Sequence, residues 1–413
     1  MKSLRTLTQL VRPVAIGAFL LAFTGATRAD ELATALEPHV GQTLDLVELG
    51  TGKRLVRPVL EGITTRGDRT TALRLRAEGE PKTTTVAVGG IAKIIAGRET
   101  VHEADAQASS TALARSRRAR ELHERQEAES RERMQAHGVE PWPPLTAEEH
   151  AAQVAELEAF VAEVQKEFPT LAVSQTHEFL VATDIPPAQM KPFTAKLDAM
   201  HDFLCDLYGI PRGEPVWKGK CLVIAFLREE DFAAFEPRFM KVETGGAHGL
   251  CHQRSDGRVV MACHRGNDAS AFAHMLVHET SHGFNHRWMS PEHLPNWLNE
   301  GIAEWVGTQV VPHCRQVPMK EARAAEFMKA GGSVGDDFFA AGPEHHINAV
   351  QYGIASSLVK FMVARDRKKF AAFVRGIKEG MTVEESLRAS FDASLADVVA
   401  AYGKAVGVPG LKQ

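Results

Sequence analysis

The stretch AFAHMLVHETSHGFNH, residues 271–286, constrains this chain more than any other. Histidines fall at 274, 278, 282 and 286, one every four positions. In an α-helix that period stacks them on one face, a turn apart. His278 and His282 then aim two imidazoles at one point, a span that zinc bridges with bonds of about 2.0–2.1 Å. Glu279 is rotated by about 100° on the same turn. It can face a metal-bound water as a general base without ligating the metal. His274 and His286 extend the stripe by one turn each way, too far along the axis to share one tetrahedral ion. They are taken as flanking residues, hydrogen-bonded or near the site.

Two histidines leave a catalytic zinc one protein ligand short. LPNWLNEGIAEW, residues 294–305, can supply it. Pro295 suits a helix start, and Glu300 follows far enough after His282 for a turn and a returning antiparallel helix. Trp297, Leu298, Ile302 and Trp305 indicate a buried helix, and a carboxylate on such a helix wants a cation or a proton. Glu304, on the same face as Glu300, can accept the Nδ1–H of a ligand histidine and fix its tautomer. Gly301 and Ala303 are small enough to let the two helices approach closely.

HETSH followed by WLNEGIAEW resembles the gluzincin metallopeptidases, the thermolysin-like superfamily, and in particular its small bacterial peptidase-MA-like members. The resemblance spans roughly residues 170 to 405. It implies one zinc ion held by His278, His282 and Glu300, with Glu279 as general base and Glu304 as the outer acid. It also implies a sheet whose edge strand holds an extended peptide above the metal. RVVMACH, residues 258–264, is the candidate edge. QYGIASSLVKFM (351–362) resembles the family's later helix that begins with tyrosine, which makes Tyr352 a candidate donor to an oxyanion. No GAMEN-type exopeptidase motif is present, so an endopeptidase acting on a peptide or protein substrate is expected. The competing expectation is a catalytically inactive zinc-binding or scaffold protein of the cell envelope.

The remainder of the chain sets the frame. MKSLRTLTQLVRP, an apolar run VAIGAFLLAF and Thr27-Arg28-Ala29 have the three-part layout of a secretory signal over residues 1–29. The run is about half of what a bilayer span needs. An exported protein, periplasmic or extracellular and without a transmembrane span after signal removal, is expected. A net charge of −4 gives no basic excess for nucleic acid.

Residues 30–100 alternate in short Val-, Thr- and Ile-rich runs separated by turn signals, and predict a small barrel of SH3-like or Sm-like pattern. It carries no chemical motif and is a candidate for binding a protein partner. Residues 101–145 are dense in Arg and Glu three and four apart, which predicts a solvated helical linker closed by PWPPL. From 146 to 413, strands and helices intermix and then give way to helices alone, an α+β layout with a mixed sheet and a helical half. The five cysteines include Cys251 and Cys263, which flank the turn signal Asp256-Gly257. They are either a hairpin disulfide or two small buried hydrophobes.

Overall fold

The computed structural model describes residues 28–413 except 50–52, 67–68, 78–80, 98, 104–110, 212–213, 336 and 341–345. The expected signal segment, apart from its last two residues, lies outside the described residues. The chain is a mixed α+β protein divided into two compact units, Met1–Arg115 and Ser116–Gln413.

The first unit begins with α1 (Arg28–Leu36), followed by seven short strands. They are β1 (Leu46–Leu49), β2 (Arg54–Val56), β3 (Val59–Arg66), β4 (Arg69–Arg76), β5 (Thr83–Ala87), β6 (Ile91–Ala96) and β7 (Glu99–Glu103). The expected barrel is corrected here. Among the described residues the strands form one sheet of order β2-β1-β6-β7 and another of order β3-β4-β5, with no closed barrel. The chain leaves the first sheet at Arg57, whose φ is 53°, and Pro58 has no N–H to carry the ladder onward. Leu36, Leu44, Val47, Leu60, Leu73 and Ile94 are buried in a shared core between the two sheets.

The second unit is built on a five-stranded sheet. Its strands are β8 (Ala172–Gln175), β9 (Phe179–Thr183), β10 (Cys221–Phe226), β11 (Gly249–Gln253) and β12 (Val259–His264). Their order is β11-β12-β10-β9-β8. The three central strands run parallel, and β8 and β11 are antiparallel at the two edges. FLVAT, CLVIAF and VVMACH are buried at every position, as parallel strands covered on both faces should be. Phe179, Val181, Val223 and Met261 face the main core. Leu180, Ala182, Ile224 and Val260 face a second one, so the period of two sorts each strand onto two layers. The second layer is closed by α3 (Ala147–Glu167) and α5 (Glu229–Phe235). A capping box between Thr146 and Glu149 starts α3.

Two expectations change at the β11–β12 hairpin. The strand at 258–264 is internal, lying between β10 and β11, and β11 is the edge. The chain adds its returning strand to the inside, next to β10. Cys251 pairs in register with Met261, and Cys263 with Gly249. The two thiols are therefore diagonal neighbours, whose Cα atoms stand too far apart, about 7–8 Å, for a disulfide. All five cysteines are free.

The helical half comprises α4 (Pro187–Tyr208), α6 (Ala269–Arg287), α7 (Asn296–Val310), α8 (Gln316–Gly331), α9 (Ala349–Arg365), α10 (Arg367–Lys378), α11 (Val383–Phe391) and α12 (Leu395–Ala405). α6 lies on the β11–β12 hairpin, and a Cβ at Gly283 would come within 2.5 Å of Val259 Cγ1. The charged helix α2 (Thr111–His137) is no free linker in its last turns. There Ser130 bonds the buried Glu379 at 2.5 Å, and Arg133 bonds it through two nitrogens at 2.6 and 2.9 Å. Among the described residues no helix is long and apolar enough to cross a membrane.

Glycines set the spacing of the helices that carry the site. Gly301 faces α9, not α6, because a Cβ there would approach Ala355 O at 2.6 Å. It follows Glu300 by one residue, so when Glu300 points at α6, Gly301 points about 100° away. The close approach to α6 is made instead by Gly307, against the His274 ring. At Gly353 a Cβ would overlap the Lys320 carbonyl of α8. Gly353→Ala should therefore destabilise the protein by about 1–3 kcal/mol, measured as a fall in Tm. An unchanged Tm would mean that α8 and α9 can separate freely.

Candidate metal centre

Asp268 caps α6 by accepting from the N–H groups of Ser270 and Ala271 at 2.8 and 3.1 Å. The helix then runs unbroken through the HETSH segment. His278 Nε2 and His282 Nε2 lie 3.2 Å apart. Glu300, on α7, brings its Oε2 to 3.1 Å from the first nitrogen and 3.4 Å from the second. That oxygen is buried, and neither contact has hydrogen-bond geometry. Three donor atoms thus converge, the two imidazole nitrogens within hydrogen-bond distance of each other and the carboxylate oxygen bonded to neither, and they could hold a metal ion. Tetrahedral zinc with bonds of about 2.0–2.1 Å separates its ligands by roughly 3.3–3.4 Å. The observed triangle has that size, and two imidazoles with one carboxylate suit zinc chemically. The residues present fit the ion.

Electrostatics follow from burial and this crowding. Burial alone would keep His282 neutral, but the Glu300 carboxylate outweighs it and pushes the pKa up to about 9. His278 is raised in the same way, burial again opposing. Burial would lift Glu300, yet His282 and His278 hold it well below the usual carboxylate range. Glu279 goes the other way. Its burial raises it, with the two histidines only partly opposing. Buried carboxylates with raised pKa values are candidates for proton transfer.

A metal at Nε2 needs a neutral ring, so the proton held by His282 must leave first. Because that pKa is about 9, zinc uptake at pH 7 should release at least one proton. Affinity should rise with pH up to about 9 and level off above it. Calorimetry in buffers of different ionisation enthalpy reads the proton directly. Zinc uptake without proton release would contradict the geometry.

The outer residues divide. Glu304 is buried to 1% exposure. Its Oε1 is 3.8 Å from His278 Nδ1, beyond hydrogen-bond reach, and its Oε2 is 3.6 Å from His274 Nε2. It pairs instead with Lys320, from α8. The Lys320 ammonium also lies over the Tyr352 ring, 5.2 Å from its centroid. Tyr352 sits in the first turn of α9, which Asn348 and Gln351 cap reciprocally. Burial pushes its phenol up, and the carboxylates of Glu300, Glu279 and Glu304 push it further, so it stays a proton donor at the edge of the site.

The flanking histidines are accounted for. His286 Nε2 donates to the Arg254 carbonyl at 3.1 Å, and burial holds its pKa down at about 4. His274 is likewise held down at about 4, by burial and then by His278.

Two contributors carry no motif signal. Lys320 reaches the site from a third helix. Asn299 lies against His282 and helps hold its charged form, and it accepts from Asn285 Nδ2 at 3.2 Å. Asn285 in turn accepts from the Tyr208 hydroxyl at 2.9 Å. Its place directly before Glu300, inside NEG, was the available clue. No family model matches the chain, and no curated protein matches it.

Proposed function

We propose that the second unit is a zinc-dependent peptide hydrolase of thermolysin-like arrangement. The observation that carries this reading is the convergence of His278 Nε2, His282 Nε2 and Glu300 Oε2, each within 3.4 Å of the other two. Zinc in such a site supplies a water of pKa about 7 and polarises a carbonyl.

The protein's own groups do the rest. Glu279, adjacent to His278 on α6, takes the proton of the attacking water and returns it to the leaving amine. Its burial raises its pKa, which favours holding that proton between the two transfers. The Tyr352 hydroxyl, kept protonated by its carboxylate neighbours, can donate to the developing oxyanion. β11, an edge strand, leaves one row of N–H and C=O groups open to an extended peptide. Asn299 and the Asn285–Tyr208 chain behind it hold His282 in place.

Metal analysis of the purified protein, paired with a peptide-library digest, tests the reading. One zinc per chain with cleavage supports it. One zinc per chain with no cleavage favours a zinc-holding binding protein instead.

A further inference from the structure

Beside the metal centre, a cavity of about 170 Å³ opens between the end of β11, the last turns of α6 and the start of α7. His282 forms part of its wall, so the cavity borders one residue of the metal centre. Gln253, the last residue of the edge strand, forms another part, as do Asn296 and Asn299 from the first turn of α7. Glu292 and His293 complete a lining in which Leu294 is the only aliphatic side chain. The polar wall is built rather than loose. Asn299 is fixed by Asn285 at 3.2 Å, and Asn285 by Tyr208 at 2.9 Å. No side chain caps the N-terminus of α7.

We propose that this cavity is the substrate subsite next to the scissile bond, and that it selects an uncharged hydrogen-bonding side chain: Asn, Gln, Ser or Thr. The inference rests on the hydrolase reading above. A peptide laid along β11 with its carbonyl at the metal passes Gln253, which brings a neighbouring side chain to the cavity mouth. An apolar side chain would displace water from this polar lining and return no hydrogen bond in its place, which costs free energy. An acidic one would meet the Glu292 carboxylate. Sites built to hydrogen-bond a ligand reject analogues without the partner group far better than apolar pockets reject a missing methylene.

The test is position-by-position cleavage profiling of a randomised peptide library by the zinc-loaded full chain, beside Asn296→Leu and Gln253→Leu. Wild type should show one position flanking the cut where Asn, Gln, Ser and Thr exceed Leu and Phe by at least about tenfold in kcat/KM. Asn296→Leu should abolish that preference at that position alone, with zinc content and the other positions unchanged. Cleavage with an apolar preference at both flanking positions overturns the subsite and leaves the hydrolase reading intact. So does an unaltered profile in both variants. If the zinc-loaded protein cuts nothing, the hydrolase reading fails, and equilibrium binding of the same library decides the cavity. Enrichment of polar peptides that Asn296→Leu loses supports it, and equal retention by both proteins overturns it.

Discussion

Glu279→Gln should lose about 10²–10⁴-fold in turnover while keeping one zinc per chain. Glutamine has the same shape and sits in the same buried place, but it cannot take a proton. The converging donor set is His278, His282 and Glu300, without Glu279, so the substitution leaves the ligand atoms untouched. Burial and the nearby Glu300 carboxylate both raise Glu279, so replacing it with a neutral amide also removes a strained buried charge. The folded state should be no less stable. Initial rates on a quenched peptide, with metal content and Tm on the same preparation, make the measurement. Undiminished proteolysis would remove Glu279 from the chemistry.

Glu300→Ala should have the opposite signature: zinc is lost, and activity goes with it. Replacing an outer partner of a metal ligand typically costs about 10–100-fold in affinity, and removing a ligand should cost more. The substitution also takes away the carboxylate that raises His278 and His282. With their main opposition to burial gone, both rings should lose protons more readily, and residual zinc uptake at pH 7 should release fewer protons than in wild type. Zinc stoichiometry and proton release measured together separate loss of a ligand from simple unfolding. Full zinc occupancy in this variant would show that the third ligand is some other group.

The two substitutions act on different links of one chain of cause. On the proposed reading, Glu300 would decide whether the site holds an ion, and Glu279 whether the ion, once held, does chemistry. A protein that retains zinc in both variants has a site built differently from the one described.

Much of this molecule was written locally. The helix read from the histidine spacing at 271–286 and the one read from Pro295 onward fall at Ala269–Arg287 and Asn296–Val310. Their apolar periodicity, Asp268 and Pro295 all act within a few residues. The meeting of His278 with His282 was legible for the same reason, since four residues of helix leave one geometry. The short edge strand β8 was not, because AVSQ is exposed at every position and has no buried alternation to announce it. Glu304 shows the limit most sharply. Its burial was expected, but its partner was not, because Lys320 comes from a different helix.

By itself the sequence determined the two helices that carry the site and the triplet of ligand candidates, because each depends on spacing along one element or on burial that composition demands. Tertiary structure alone decided that β11 and not β12 forms the edge, that Cys251 and Cys263 miss each other by two residues of register, and that the first unit's strands part into two sheets. It also decided that Gly307 and not Gly301 brings α7 against α6. Each of these depends on how one element is rotated and ordered against another, and that is set by packing between residues far apart in the chain.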